Sequence, residues 1–494
     1  MGQGDQDVGR ARAIDDASAS RGEALLTRRR ALCLALAGAG LLTLAPGAAL
    51  SAVDLVVANV TGLYGVKVAR IEVPRSSADV VNALRGWPGR VSIGGGRYSM
   101  GGQVAVAEGL HFDMRAMKGL LWIKPEERQV RVQAGMRWRD LQDVIDPLGL
   151  AVKTMQSYAN FTVGGAVSVN AHGRYVGNGP VGNSVRSLQL VLASGEIIDA
   201  SRQKNPELFR AAIGGYGAVG VITEVELDLA QNVRMERIVT KVPLDGYVDF
   251  FKGKVLGDSA SVMHNADLLP PRFDAPVAVT WRETSKDLTQ IARLVPRGQT
   301  YALEQNVVWA LTELPGGAKV RKSVIHPLLM AGGVVKWRNH EASLDLAELE
   351  PRSRTESTYV LQEYFVPPRY FVLFAQGLAR VLRRHGVMAL NVSIRHSPAD
   401  ELALLPWARE EVFSFVLYYK QKTHAQAQEE VGRWTRELIA LALAHQGRYY
   451  LPYQLHATQE QFDAAYPEAE QLRALKRRVD PAGKLLNEMW AKYL

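Results

Sequence analysis

Two glycine-rich blocks carry the residues best suited to chemistry. The first is Gly94-Gly95-Gly96-Arg97-Tyr98-Ser99-Met100-Gly101-Gly102. Without Cβ atoms, such residues let neighbouring backbone N–H groups turn inward together and form a nest for an anion such as a pyrophosphate. A tight surface turn would use the same residues. No lysine follows in P-loop register, which argues against Walker-type nucleotide binding. The second block runs from Asn160 through Phe161, Thr162, Val163, Gly164, Gly165, Ala166, Val167, Ser168, Val169, Asn170 and Ala171 to His172 and Gly173. Thr162 and Ser168 offer hydroxyls, and Gly164 and Gly165 permit close backbone approach. His172 sits among small residues where a flat ring could lie, although a satisfied core histidine would read the same way. A third run, Gly214-Gly215-Tyr216-Gly217-Ala218-Val219-Gly220, contains a literal G-x-G-x-x-G. A dinucleotide fingerprint must follow a strand and open a helix. Here a helix over 206–212 comes first and a strand follows, so that reading fails.

The elements that must hold these blocks are legible in the pattern. Ser77 reads as the N-cap of a helix over 79–85, with Gly86 as its stop. Val91-Ser92-Ile93 reads as a strand entering the first block, and 130–134 alternates as a strand should. A helix spans 138–148 and ends at Gly149. Leu188, Leu190 and Leu192 alternate before a turn at 193–195 and a return strand at 196–199. Asn205-Pro206-Glu207 starts a helix with cap, first-position proline and first-turn acid in order. Residues 221–229 put Val221, Thr223, Val225, Leu227 and Leu229 on one face and Ile222, Glu224, Glu226 and Asp228 on a wetter one. Beyond about residue 233 the strands lengthen (277–281, 359–366, 389–395, 412–419) and long helices intervene near 370–384 and 424–445. That texture predicts an antiparallel sheet with helices packed on it, of α+β type. Thr458 and Gln461 make a capping box, and 468–478 forms another helix.

At 494 residues the chain exceeds one ordinary core and implies two domains or three. Its 47% apolar and 22% charged composition excludes disorder as a whole-chain description. The single cysteine, Cys33, excludes an internal disulfide framework and any multi-cysteine zinc or iron–sulfur site, and no metal is expected. Net charge +9 is a mild bias at this length. With no long basic run interleaved with aromatics and no helix-turn-helix pattern, it reads as a basic surface rather than nucleic-acid binding. The first fifty residues read as an address. Arg28-Arg29-Arg30 precede an apolar run over 31–45 and small residues around 46–52. This matches a secretory signal and is short for a spanning helix. The paired arginines suit twin-arginine export, read by a translocase for folded proteins, with Ala31 departing from the bulky residue usual there. A periplasmic location is expected, with cleavage near 49–52 or an uncleaved anchor.

In this order and about 65 residues apart, the two blocks resemble the FAD-binding domain of the vanillyl-alcohol oxidase/p-cresol methylhydroxylase (PCMH-type) family. Asp113, Val132-Gln133-Ala134-Gly135, Asn205-Pro206-Glu207-Leu208-Phe209, the 215–223 segment, Tyr466-Pro467 and Val479-Asp480-Pro481 to Asn487 extend the resemblance. Its spacing is similar to sugar-lactone and alditol oxidases and to the decaprenylphosphoryl-ribose oxidase of mycobacteria. The resemblance implies an α+β, two-domain flavoprotein. An FAD-binding domain of two α/β subdomains would occupy 53–232 after the 1–52 address. An antiparallel-sheet substrate (cap) domain would occupy 233–440, and a C-terminal segment, 441–494, would return to the FAD domain. Gly94, Gly95, Gly96, Arg97, Tyr98, Ser99, Gly101 and Gly102 would hold the pyrophosphate, continued by Thr162, Val163, Gly164 and Gly165. Asn170, His172 and Gly173 would lie beside the isoalloxazine, the Ile222 backbone would meet the adenine end, and Tyr450 would cover the ring.

Many relatives link the flavin to a histidine just after the first glycine cluster. Here that place is Arg97 or Tyr98, so FAD is expected to bind non-covalently. The reaction implied is oxidation of an alcohol carbon of a sugar, sugar lactone or polyol by hydride transfer to flavin N5, with oxygen, a quinone or a cytochrome left open as acceptor. A phenolic-alcohol or secondary-metabolite oxidase and a degenerate flavin-binding protein are the alternatives. Catalytic candidates are Glu363, on a strand that faces substrate in relatives, Tyr453, where the ribose oxidase has a lysine, and His172. Arg395 and Lys420 could neutralise an anionic substrate, but strand ends favour a solvated role for each. Tyr418 and Tyr419 read as sheet packing.

Overall fold

The computed structural model describes residues 55–298, 333–345 and 353–494. The expected export segment at 1–52, with Cys33, lies outside the described residues. A short hairpin opens the described chain, β1 (Leu55–Ala58) on β2 (Gly65–Val68). A parallel sheet follows with β3 (Arg70–Glu72), β4 (Val91–Gly94) and β5 (Leu110–Asp113) in the order β3-β5-β4. The central strand, β5, is buried along its whole length, as a parallel strand covered on both faces should be. The helix Ser77–Gly86 crosses from β3 to β4. Its cap is Ser76, one residue before the expected Ser77, because Asp79 closes a reciprocal capping box with Ser76. The Ser77 hydroxyl instead donates to Gln189 Oε1 at 2.6 Å, tying this helix to the next sheet.

That next sheet is built from β6 (Leu120–Lys124), β7 (Gln129–Gln133), β8 (Leu150–Val152), β9 (Val185–Val191), β10 (Ile197–Ser201) and β11 (Val221–Gln231). Its order is β10-β9-β11-β7-β6, with β8 also on β11. The alternation along β11 is obeyed except at Ile222, which is buried where the register with β9 shifts. Val221, Thr223, Val225, Leu227 and Leu229 are buried, while Glu224 pairs with Arg131 at 2.7 Å and Asp228 with Arg186 at 3.1 Å on the wetter face. The helix Trp138–Ile145 runs into a 3-10 turn and stops at Gly149, whose φ of 72° is left-handed. Asn205 precedes the helix Pro206–Ala212 but does not cap it. It is itself left-handed, with φ 49°, and its amide donates to the Asp199 carbonyl.

The third sheet comprises β12 (Arg234–Lys241), β13 (Ser261–Leu268), β14 (Val277–Glu283), β15 (Val335–Trp337), β16 (Ser357–Val366), β17 (Met388–Ser397), β18 (Val412–Lys422) and β19 (Arg448–Tyr449). All its pairings are antiparallel, in the order β15-β12-β14-β13-β17-β18-β16-β19. The helices Phe371–Arg384 and Ala425–Ala444 cover one face, where Phe374 meets Phe415 at 4.9 Å and Gln362 reaches Thr435 at 2.7 Å. Strand periodicity then sends the intervening residues, Leu361, Glu363, Val416, Tyr418, Ser393 and Arg395, to the opposite face.

Contacts hold Asp54–Leu494 as one compact unit, and the chain end is stitched into the parallel sheet. Val91 bridges Leu485, and Asn487 and Trp490 donate to the Tyr216 and Gly215 carbonyls at 3.0 Å each. Lys476 is the pin. Its buried ammonium donates to the Ala218 carbonyl (3.0 Å), the Leu485 carbonyl (2.6 Å) and Asp480 Oδ2 (2.8 Å). Removing one partner of such a pair strands the other charge in the interior. Lys476→Met should therefore lower unfolding stability by about 3 kcal/mol in urea titration, well beyond the few tenths expected of an exposed lysine such as Lys118.

Candidate active site

The uncovered face of the third sheet forms one wall of a cavity of about 420 Å³. Adjacent strands place Ser393, Val416 and Glu363 in one row and Asn391, Tyr418 and Leu361 in the next. All six line the cavity, joined by Arg395. Glu363 is the centre of this wall, 3% exposed as a residue. His172 Nε2 lies 2.6 Å from Glu363 Oε1, at an angle that falls short of a formed hydrogen bond, and Oε1 keeps no other partner. The Tyr453 hydroxyl donates to Glu363 Oε2 at 3.1 Å. Burial by itself would raise the Glu363 carboxyl. The charge and proximity of His172, with the positive charge of Arg395, outweigh it and hold the group below its ordinary value. The Tyr453 phenol is pushed well above its ordinary value by burial and by Glu363, so it remains a neutral donor. The three catalytic candidates thus meet at one carboxylate.

The two glycine blocks form the opposite wall. Gly95, Gly96, Arg97, Tyr98 and Ser99 line it with Thr162, Gly164 and Gly165. A Cβ on Gly95 would collide with Thr162 Oγ1, and one on Gly165 would stand 2.7 Å from the same oxygen. The hydroxyl is buried and has no partner among the described residues. The loop is anchored from below. Arg97, left-handed at φ 62°, reaches back to Asp113 at 3.2 Å and to His111 Nε2 at 3.3 Å. A guanidinium only donates, so Nε2 accepts and Nδ1 carries the proton toward Ser92 Oγ at 3.2 Å. His111 is therefore engaged at both nitrogens beneath the loop. Backbone left bare by side chains, an orphaned hydroxyl and a nearby arginine fit the diphosphate of FAD.

Ile222, Tyr450 and His172 also line the cavity. The Tyr450 hydroxyl is committed to the Val169 carbonyl at 2.8 Å, fixing its ring over the second block. Six expected cofactor residues do not line it, and each has a packing reason. Val163 is fully buried. A Cβ on Gly94 would stand 2.7 Å from the His111 ring and one on Gly101 2.7 Å from the Tyr453 carbonyl, while one on Gly102 would strike Glu488 and one on Gly173 the Met155 carbonyl. Asn170 is a buried hub, left-handed at φ 46°. Its amide donates to Asp400 at 2.7 Å, its side-chain oxygen accepts from Gly182 N–H, and its carbonyl accepts from Trp407 Nε1 at 2.9 Å.

Two expectations are corrected. Arg395 is not a solvated strand-end residue; it faces the cavity, where burial pushes its guanidinium below the ordinary value. Tyr418 lines the cavity too, whereas Tyr419 packs on Trp434 on the helix side and Lys420 lies off the cavity. Sequence reasoning missed Trp407, which stacks on Phe365 at 4.4 Å and meets His172 at 4.8 Å. It also missed Asn391 and Ser393, although the alternation Asn391-Val392-Ser393-Ile394-Arg395 was a readable signal of a polar inner face. Gln103 was missed as well. It accepts from Gly101 N–H at 2.9 Å and donates to the Leu451 and Tyr453 carbonyls at 2.7 Å each, clamping the tail to the first block.

A sequence family described as FAD binding domain matches residues 68–201. The chain is 23% identical to the L-gulonolactone oxidase of Bos taurus over 407 residues, covering 81% of this chain and 88% of that protein. It is 26% identical to the alditol oxidase of a Streptomyces species over 364 residues, 73% of this chain and 80% of that one. With cytokinin dehydrogenase 2 of Arabidopsis thaliana it shares 30% over 357 residues, 67% of each.

Burial, reinforced by Arg97, lowers His111 from 6.5 to about 4, and burial lowers His264 to about 3 and His456 to about 4. Each is neutral when folded, so between about pH 6.5 and 4 the unfolded chain binds protons that the folded chain refuses. Stability should fall through that window by about 1.4 kcal/mol per unit for each group. Urea unfolding at pH 7 and 4.5 checks this, and His111→Asn should show the shallower slope.

Proposed function

Because the chain belongs to the PCMH-type family of FAD-dependent oxidoreductases, we propose that it oxidises an alcohol carbon of a sugar, sugar lactone or polyol. The observation that carries this reading is the meeting of His172, Glu363 and Tyr453 on a polar sheet face, across one cavity from the glycine cradle. Such a face supplies the acceptors and donors that a polyhydroxylated molecule needs, within reach of a flat ring. The gulonolactone and alditol oxidases point to the same donor class.

Gly95, Gly96, Gly165 and the Thr162 hydroxyl would hold the diphosphate, with Ile222 toward the adenine and His172 and Tyr450 beside the ring system. FAD bound there supplies the two-electron acceptor, taking a hydride equivalent at N5. With Arg97 and Tyr98 in the tethering position and His111 engaged beneath the loop, the binding is non-covalent. Glu363, held ionised, accepts a hydrogen bond from the donor's hydroxyl through Oε1 and takes its proton as the carbon loses hydride. Tyr453 holds the other oxygen, and His172 stands 2.6 Å from Oε1. The sheets then divide the labour, the parallel and the six-stranded sheet serving the cofactor and the eight-stranded one the donor. The arginine run at 28–30 and the apolar stretch after it support export of the folded, cofactor-loaded protein.

Two measurements test the reading. Acid or heat denaturation should release free flavin into the supernatant; yellow precipitated protein would mean a tether. Glu363→Gln should keep its flavin yet slow reduction of the visible band by a factor on the order of 10², read by stopped flow with a polyol or lactone.

A further inference from the structure

The half-buried arginine on the donor wall has no side-chain partner. The Arg395 side chain makes no hydrogen bond or ion pair among the described residues, and its Nε is wholly shielded from solvent. Its remaining exposed surface faces the cavity. The other cations there are accounted for. Arg97 pairs with Asp113, Arg174 with Glu341 at 2.6 Å, and Arg354 reaches the Thr358 hydroxyl at 2.6 Å. Glu363 contributes a negative charge but is engaged by His172 and Tyr453, and no ion pair within 4.0 Å joins it to Arg395. A guanidinium with five donors and no acceptor is costly in an interior, and here Arg174 disfavours its charge further. The cost is met if the bound donor brings the missing anion.

The register sets where that anion must sit. Arg395 lies two residues along β17 from Ser393, whose row runs through Val416 to Glu363. It is thus about 7 Å along the strand direction from the row of the reacting hydroxyl and two strands across. An arginine side chain spans part of that gap, which leaves room for a few carbon atoms between the oxidised carbon and the charged end. Ser393, on the same face and in the row of Glu363, is placed to bond a hydroxyl on that intervening chain.

We propose that the donor is an acidic sugar or polyol, whose carboxylate or phosphate group pairs with Arg395 while a hydroxyl several carbons away meets Glu363. This rests on the oxidoreductase reading above and narrows it from neutral polyols to anionic ones. A bidentate fork on a carboxylate or phosphate is the pairing for which a guanidinium is shaped.

The test uses the flavin-loaded enzyme and three donors of equal carbon number: sorbitol, gluconate and sorbitol 6-phosphate. Flavin reduction is followed with an artificial acceptor. The expected result is a kcat/KM for gluconate or for the phosphate at least tenfold above that for sorbitol, the better of the two identifying the anion. In Arg395→Met this preference should fall to near one, through a rise in KM on the order of 10²-fold for the acid, and Arg395→Lys should restore part of it. A preference for sorbitol, equal use of all three, or an Arg395→Met loss shared equally by neutral and acidic donors would overturn the proposal while leaving the oxidoreductase reading intact. Retained flavin that no sugar, lactone or polyol reduces would overturn both.

Discussion

A single buried carboxylate organises this protein. An ion of that size moved into a protein interior costs several kcal/mol unless its surroundings compensate. Glu363 is compensated from three separate stretches of chain: β17 through the charge of Arg395, the second glycine block through His172, and the returning tail through Tyr453. His172 and Tyr453 stand ninety residues or more from Glu363 in sequence and Arg395 thirty-two, so the surroundings of the ion are brought together only by the tertiary fold. The same electrostatics explain why Tyr453 stays protonated and why Glu363 stays ionised beside Arg395.

Around that ion the aromatic side chains act as spacers. Trp407 stacks on Phe365, and both contact the rings of His172 and Tyr450. The indole nitrogen and the Tyr450 hydroxyl are spent on carbonyls of the second glycine block, at Asn170 and Val169. Asn170 fastens the same turn to Asp400. The imidazole is therefore held at its distance from Glu363 by packing and by backbone bonds, not by the ion pair alone. Gln103 does the equivalent for the first block, joining the glycine loop to the segment that carries Tyr453.

The division between wall and cradle follows from side-chain size. Glycines where a Cβ would strike Thr162 bring two loops together around one hydroxyl. Glycines where a Cβ would strike Glu488, the Met155 carbonyl or the Tyr453 carbonyl serve close packing instead. Both kinds look alike in sequence, since the property they share is the absence of an atom.

Local order was legible because it is short-range. The alternation of β11, β16, β17 and β18, the long helices Phe371–Arg384 and Ala425–Ala444, the capping box at Thr458 and the inverted order around Gly214 all depend on neighbours a few residues apart. The two glycine blocks and the candidacy of His172, Glu363 and Tyr453 belong to the sequence as well. What it could not contain is which glycines face the cavity, that Asn170 is a hub, or that the face carrying Arg395 is enclosed as a cavity wall. Those facts depend on strand order and register across β13, β17, β18 and β16, set by pairings between residues tens of positions apart. An arginine at a strand end and an arginine on a cavity wall have the same neighbours along the chain; only the strands packed beside them differ, and those arrive with the tertiary fold.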